Sequence, residues 1–505
     1  MTRLFLIIMF LASGAAALDM PEIDATVEMR RFDGDAPVFG ASLFANNLEW
    51  VHGGNGLLDE NGEWDRSLLE AAKELAPPLI RFPGGKLAST YQWEGGIGPS
   101  GAREDGLDFN GARQKMRFGT DDYLELLSRL GARGMITVNL KKDPAENAAW
   151  LRYIMERKGR YNPQPDVPLW EIGNESYITM DPSFASAKEY VELYEAHHRH
   201  LKAVDSSVQV GAILDANTLG LPWVKPIIPE NDTWNDSVIG SLHKKGIPPD
   251  FYAIHLYGLF DSDPDDGKNR QALLVVPAVL ENKIRLLRET LAKYGDSAPL
   301  HVTEFSIVMK EPLSTWKYSL DPVQGTYVMD MIMMFARNGI QAAFFWSMLN
   351  SYNFGAYGND SDYLFATGRM GSGAPGYRPA GKLFLALRQY RGREMYRTEV
   401  KAPNVAFAPV GIATANDSAS MVNAIALRPE SSDEETLVLA VNRSTKDTVR
   451  LSSVLEGKRL IPARINRVSG DGTAHPAPSI DDTGESVLLP PMCGAVIAYE
   501  PLQMD

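Results

Sequence analysis

Apolar runs that alternate with helical patterns from Pro37 to Tyr390 and a tail of short strands without helices predict an α/β fold, a (β/α)8 TIM barrel followed by an all-β sandwich domain. A third observation places chemistry on it. Trp170-Glu171-Ile172-Gly173-Asn174-Glu175-Ser176 and His301-Val302-Thr303-Glu304-Phe305 are distant in the chain, yet each is an apolar run that delivers a glutamate at its end. A strand buried on both faces reads as such a run, and a barrel gathers its chemistry where strands end.

A chain of 505 residues exceeds one ordinary domain and can bury a large core. The expected division is a signal peptide over 1–17, an N-terminal strand of the sandwich within 18–35, the barrel over 36–393 and the sandwich over 394–505. Arg3, the apolar run Leu4 to Leu11 and Ala15-Ala16-Ala17 form the signal pattern, and the apolar run is too short to span a bilayer. The protein is therefore expected in the periplasm or medium, with no membrane contact once the signal is removed. A net charge of −14 argues against nucleic acid or an anionic membrane as partner and leaves a neutral polymer; a homo-oligomer stays open. Cys493, the single cysteine, cannot form an internal disulfide.

Taking the elements in order, Glu22 to Arg31 alternates Ile23, Ala25, Val27 and Met29 with polar residues, the period of a strand with one wet face, here assigned to the sandwich. Val38 to Phe44 is the first candidate barrel strand. Asp65 caps a helix carrying Leu68, Leu69, Ala72 and Leu75, and Leu79 to Phe82 is the second strand, running into Pro83-Gly84-Gly85-Lys86. A helix from Asp121 closing at Gly131 precedes the third strand, Met135 to Leu140, with Asn139 near its end. Leu169 to Gly173, Val208 to Leu214, Phe251 to Tyr257, Leu300 to Phe305 and Ala342 to Leu349 complete the eight. Beyond a helix at Ala380 to Tyr390, sandwich strands are expected at Val405 to Val410, Met421 to Leu427, Thr436 to Asn442, Thr448 to Leu451 and Gly494 to Tyr499.

Glu175 and Glu304, ending strands four and seven, face one another across an eight-strand ring. Two carboxyl groups about 5 Å apart can serve as acid/base and nucleophile in retaining sugar hydrolysis. Glu175 is assigned as acid/base and Glu304 as nucleophile; Asn174 is placed to bond the sugar's 2-hydroxyl, or else only caps the following helix. His255 and Tyr257 alternate on strand six and so share a side, either as a core pair or with the Tyr257 hydroxyl holding Glu304. Arg81 can fork onto a carboxylate, and Trp93 and Trp346 can be core or platforms for a sugar face. His197-His198-Arg199-His200 looks metal-like, but adjacent helix residues point apart, so neither metal nor cofactor is expected. Gly371-Ser372-Gly373-Ala374-Pro375-Gly376 matches a dinucleotide glycine pattern without its acidic partner or βαβ unit, and reads as a loop over the barrel mouth.

The ordered motifs Leu79-Ile80-Arg81-Phe82-Pro83-Gly84-Gly85, Tyr91 to Pro99, Phe118-Gly119-Thr120-Asp121-Asp122, Val138-Asn139-Leu140, Gly173-Asn174-Glu175, His255-Leu256-Tyr257 and Glu304 resemble the α-L-arabinofuranosidases of glycoside hydrolase family 51. The resemblance runs from Phe39 through the C-terminal sandwich and implies Glu175 as acid/base and Glu304 as nucleophile. Three departures bear on substrate. Ala45-Asn46-Asn47 stands where the family has a Glu-His pair, Lys86 where it has Asn, and Trp346 looks more like other members of the clan. The implied activity is an exported arabinofuranosidase-type hydrolase of plant or algal polysaccharide or oligosaccharide, with Asn46, Lys86 and Asn139 lining the sugar pocket. The alternatives are a β-pyranosidase or endo-acting glycanase of the same clan, and a carbohydrate-binding barrel without catalysis.

Overall fold

The computed structural model describes residues 22–48, 57–59, 61–107, 113–216, 234–258, 263–307, 318, 321–348, 377–413, 418–431, 434–469 and 476–501. The signal pattern and the glycine loop at 371–376 lie outside the described residues.

Eight parallel strands close into a barrel: Ala45–Asn47, Leu79–Phe82, Arg133–Val138, Asp166–Ile172, Gln209–Ile213, Phe251–Gly258, Leu300–Ile307 and Ala342–Phe345. Each pairs with its neighbours in sequence, and the eighth closes on the first through Phe344 beside Ala45 and Phe345 beside Asn46. The helices between them start where the side chains dictate. Asp65 accepts from the backbone N–H groups of Ser67 and Leu68 to cap Arg66–Leu75, whose Leu68, Leu69, Ala72 and Leu75 are buried. Gly131, at φ 64°, ends Thr120–Leu130 in the left-handed conformation that glycine tolerates. Outward-facing strand residues bind this layer to the barrel, as where Phe82 stacks on Tyr123 with centroids 4.9 Å apart.

The first barrel strand is a correction. Val38 to Phe44 does not form it: Ala41–Phe44 is a 3-10 turn, Val38 makes a lone bridge to Glu394, and the strand is Ala45–Asn47. Its two asparagines gave it the look of a loop, but the barrel interior here is polar. Val405 to Val410 likewise forms no strand, only bridges at its ends, whereas Met395–Lys401, Pro462–Ser469 and Val487–Leu489 do.

The second body is a mixed sheet that takes in the N-terminal strand. Glu22–Arg30 lies antiparallel to Met395–Lys401 on one side and parallel to Thr448–Leu455 on the other. This sheet meets the barrel at a buried polar contact: Arg443 donates to both oxygens of Asp330, at 2.6 and 2.9 Å, and Asn423 donates to Asp330 Oδ1 at 2.6 Å. Together the elements form a TIM barrel with a β-sandwich.

Candidate active site

Strand alternation decides what enters the barrel. Arg81 on the second strand, Thr137 on the third, Glu171 on the fourth and Thr303 on the seventh are fully buried and bonded to one another, so they form a polar layer inside the barrel. Arg81 organises it. Its Nε donates to Glu171 at 2.7 Å, Nη1 to Glu304 at 2.8 Å and to the Asn47 amide oxygen at 2.9 Å, and Nη2 to the Asn174 amide oxygen at 2.9 Å. Burial by itself would lower the Arg81 pKa, but the Glu171 and Glu304 carboxylates reverse that and hold the guanidinium charged.

Above this layer lie the two strand-end glutamates. The backbone turns sharply after Ile172: Gly173 stands at φ 82°, and Glu175 itself at φ 42°, a conformation side chains rarely adopt. The turn swings the Glu175 carboxyl inward. His255 Nδ1 lies 2.9 Å from Glu175 Oε1 and 3.5 Å from Glu304 Oε2, and the Tyr257 hydroxyl donates to Glu304 Oε2 at 2.6 Å. One carboxylate oxygen from each glutamate and a nitrogen of His255 all lie within 4.8 Å of one another.

Burial and its neighbours act together on Glu175. Loss of water raises the Glu175 carboxyl above its ordinary value, the bond to His255 opposes this, and the nearby Glu304 adds to the rise. Its side chain keeps 24 % of its surface open, against 6 % for Glu304. For His255, burial favours the neutral ring, yet Glu304 and Glu175 outweigh it and raise its pKa. Asn174 is oriented by chemistry: Arg81 can only donate, so it takes the amide oxygen, and the amide N–H₂ faces the buried Asp181 carboxyl at 3.5 Å.

The structure thus brings together Glu175, Glu304, Asn174, His255, Tyr257 and Arg81. Trp346 is close by: it is half-buried, and its ring lies over Gly84 and Gly85, where a Cβ on Gly85 would come within 2.4 Å of it. A Cβ on Gly84 would touch both Trp346 and the Asn47 side chain. Lys86, next along the chain, is exposed.

Three expected binders do not join the cluster. Trp93 is buried in the helix layer, parallel to Trp150 with centroids 6.2 Å apart, and its indole N–H donates to the Glu146 carbonyl. Asn46 pairs with Ile80, on the opposite strand face from Asn47 and Arg81, and its amide donates to Phe44; Asn47 is the residue that reaches inward. Asn139 uses its side chain on the loop, accepting from the Lys141 N–H at 3.0 Å and facing the Tyr91 carbonyl. Of the histidine run, His197 is buried and donates from Nε2 to the Leu140 carbonyl, and burial lowers its pKa to about 4. Sequence reading missed Glu171 and Asn47. The available signal was parity, since Glu171 stands two residues before Gly173 on a strand whose lumen face could be counted.

An arabinofuranosidase domain model, described as "Alpha-L-arabinofuranosidase 1 domain", matches residues 71–150. Alpha-L-arabinofuranosidase C of Emericella nidulans is 32 % identical over 171 residues, 31 % of this chain and 33 % of that protein. The match thus spans about a third of the curated relative's length. A family 51 α-L-arabinofuranosidase from Bifidobacterium longum superposes with a TM-score of 0.74 at 18 % identity, covering 95 % of this chain and all of that one. The family 51 arabinofuranosidase of Xanthomonas axonopodis pv. citri gives 0.73 at 16 % identity with the same coverage. Residues 71–150 thus match an α-L-arabinofuranosidase domain, and the fold of the chain is the one that the family 51 arabinofuranosidases share.

Proposed function

We propose that the chain is an exported glycoside hydrolase that cleaves α-L-arabinofuranosides of polysaccharide or oligosaccharide with retention of configuration. The observation that carries the reading is the approach of Glu175 and Glu304 oxygens to within 4.8 Å, since retaining enzymes hold their carboxyl groups about 5–5.5 Å apart and inverting ones hold them wider for a water. Glu304, fixed by Arg81 and Tyr257, attacks the anomeric carbon. Glu175, whose raised pKa favours the protonated form, gives its proton to the leaving glycosidic oxygen as that bond breaks. A water then attacks the glycosyl–Glu304 ester, Glu175 takes its proton, and the sugar leaves with its configuration restored. The Asn174 amide N–H₂ is available to the sugar's 2-hydroxyl, where contacts tighten in the transition state.

Glu304→Ala tests the scheme. It is expected to cost several orders of magnitude in rate, on the order of 5 kcal/mol or more of barrier, and to recover turnover with azide and an activated aryl glycoside, giving a glycosyl azide of inverted configuration. A retained azide product would remove Glu304 as nucleophile. A panel of aryl glycosides tests the sugar: an inert arabinofuranoside beside a cleaved pyranoside would replace the glycone and leave the machinery. The exposed Lys86 supports including acidic glycosides in the panel. Sequencing the amino terminus of exported protein, expected near Leu18, tests the location.

A further inference from the structure

Of the carboxylates inside the barrel, Glu171 has no part in the scheme above, yet it is fully buried and bonded at both of its oxygens. Its Oε2 accepts from Arg81 Nε and from the Thr137 hydroxyl, both at 2.7 Å, and its Oε1 accepts from the Thr303 hydroxyl at 2.8 Å. Three strands thus hold it on the side of Arg81 away from Glu304. One guanidinium therefore serves two carboxylates, through Nε on one edge and Nη1 on the other.

An amide oxygen at 171 could still accept from Arg81 Nε, so anchoring alone does not call for a second charge. What the second carboxylate changes is the field. An undivided guanidinium 2.8 Å from Glu304 would stabilise its ionised form strongly and quench it as an attacking group, while a shared one holds it in place and leaves it more reactive. We propose that Glu171 is a positioning residue that divides the charge of Arg81, and so sets the pH at which the nucleophile Glu304 becomes active. The inference rests on the role given to Glu304 under the proposed function. Among the described residues, the other polar and titratable groups around Glu304 are Glu175 and Asn174 from strand four, His255 and Tyr257 from strand six, and Asn47 from strand one acting through Arg81. Glu171→Gln leaves all of them in place.

The test is the pH profile of kcat/KM on an activated aryl glycoside with Glu171→Gln and Glu171→Asp in the full chain. Glu171→Gln keeps the shape and removes the charge, so the acid limb moves to lower pH by about one unit while kcat falls at least tenfold. Glu171→Asp keeps the charge, so its acid limb stays with the wild type even where kcat falls. Acid limbs that coincide in all three proteins overturn the proposal and leave Glu171 a structural residue. Should Glu171→Gln not yield folded protein, Thr137→Val takes its place: with one donor fewer, Glu171 draws more strongly on Arg81, and the acid limb rises; an unmoved limb there is equally fatal. Loss of the scheme itself is read separately, because an active Glu304→Ala enzyme would sink the nucleophile assignment whatever the limbs do.

Discussion

Arg81 and Arg443 are both almost wholly buried and both fork onto carboxylates, one inside the barrel and one where the barrel meets the second sheet. Arg443 gives Nε and Nη2 to the two oxygens of Asp330, Asn423 adds a third bond, and carboxylate and guanidinium are 1 % and 4 % exposed. That contact is closed: nothing in it is left to react, and its task is to join the barrel helix Pro322–Arg337 to the sandwich. Arg81 spreads the same donors over Glu171, Glu304, Asn47 and Asn174, so no carboxylate receives the whole fork. The difference teaches how one ion-pair chemistry serves structure in one place and the proposed nucleophile in another. A fork spent on one partner fixes it, while a fork divided among four orients a carboxylate and leaves it room to form a bond.

The sharpest way to break this comparison is Arg81→Ala. It should lower kcat/KM on the order of a thousandfold or more, measured on an activated aryl glycoside, because Glu304 loses its anchor and Glu171 its counter-charge. Asp330→Ala should do the reverse, costing about 3–5 kcal/mol of stability by denaturant unfolding, since Arg443 is left buried without its partner, while kcat/KM of the folded fraction stays near wild type. A large loss of kcat there would deny the division of labour. Tyr257→Phe removes one charge-assisted bond to Glu304 and should cost about 1.5–3 kcal/mol of barrier with little change in melting temperature.

The smallest effect concerns pH. The folded-state pKa of Glu175 lies above its unfolded value, so its contribution to stability is fully present below the unfolded value and is lost as pH rises through the folded one. Glu175→Gln should therefore gain in melting temperature relative to wild type as pH is raised, while losing the alkaline limb of activity that the proton donor imposes. Equal melting curves across that range would remove the raised pKa.

The barrel was legible because strands buried on both faces read as apolar runs, and Leu79 to Phe82 or Phe251 to Tyr257 needed little else. What defeated the reading was polarity inside the barrel. Ala45-Asn46-Asn47 looked like a loop because two amides rarely occupy a strand, and only the register with Ile80 and Arg81 shows which of them turns inward. Glu171 hid between Trp170 and Ile172 for the same reason: its partners Arg81, Thr137 and Thr303 come from three other strands, and no local pattern announces them. Trp93 was ambiguous in the opposite sense. Of the two readings open for it, core and sugar platform, the structure shows packing, with the ring stacked against Trp150.

The strand Glu22–Arg30 has a consequence for how the chain comes together. It lies beside Thr448–Leu455 in parallel register from Glu22 with Thr448 to Met29 with Leu455, so its partners are made more than 360 residues after it, with the barrel in between. Both of its partner strands follow the barrel in the chain, so the sheet around it cannot be completed until they have been made. The barrel strands pair with neighbours nearer in sequence, so the early strand is the one whose edges depend on the most distant partners.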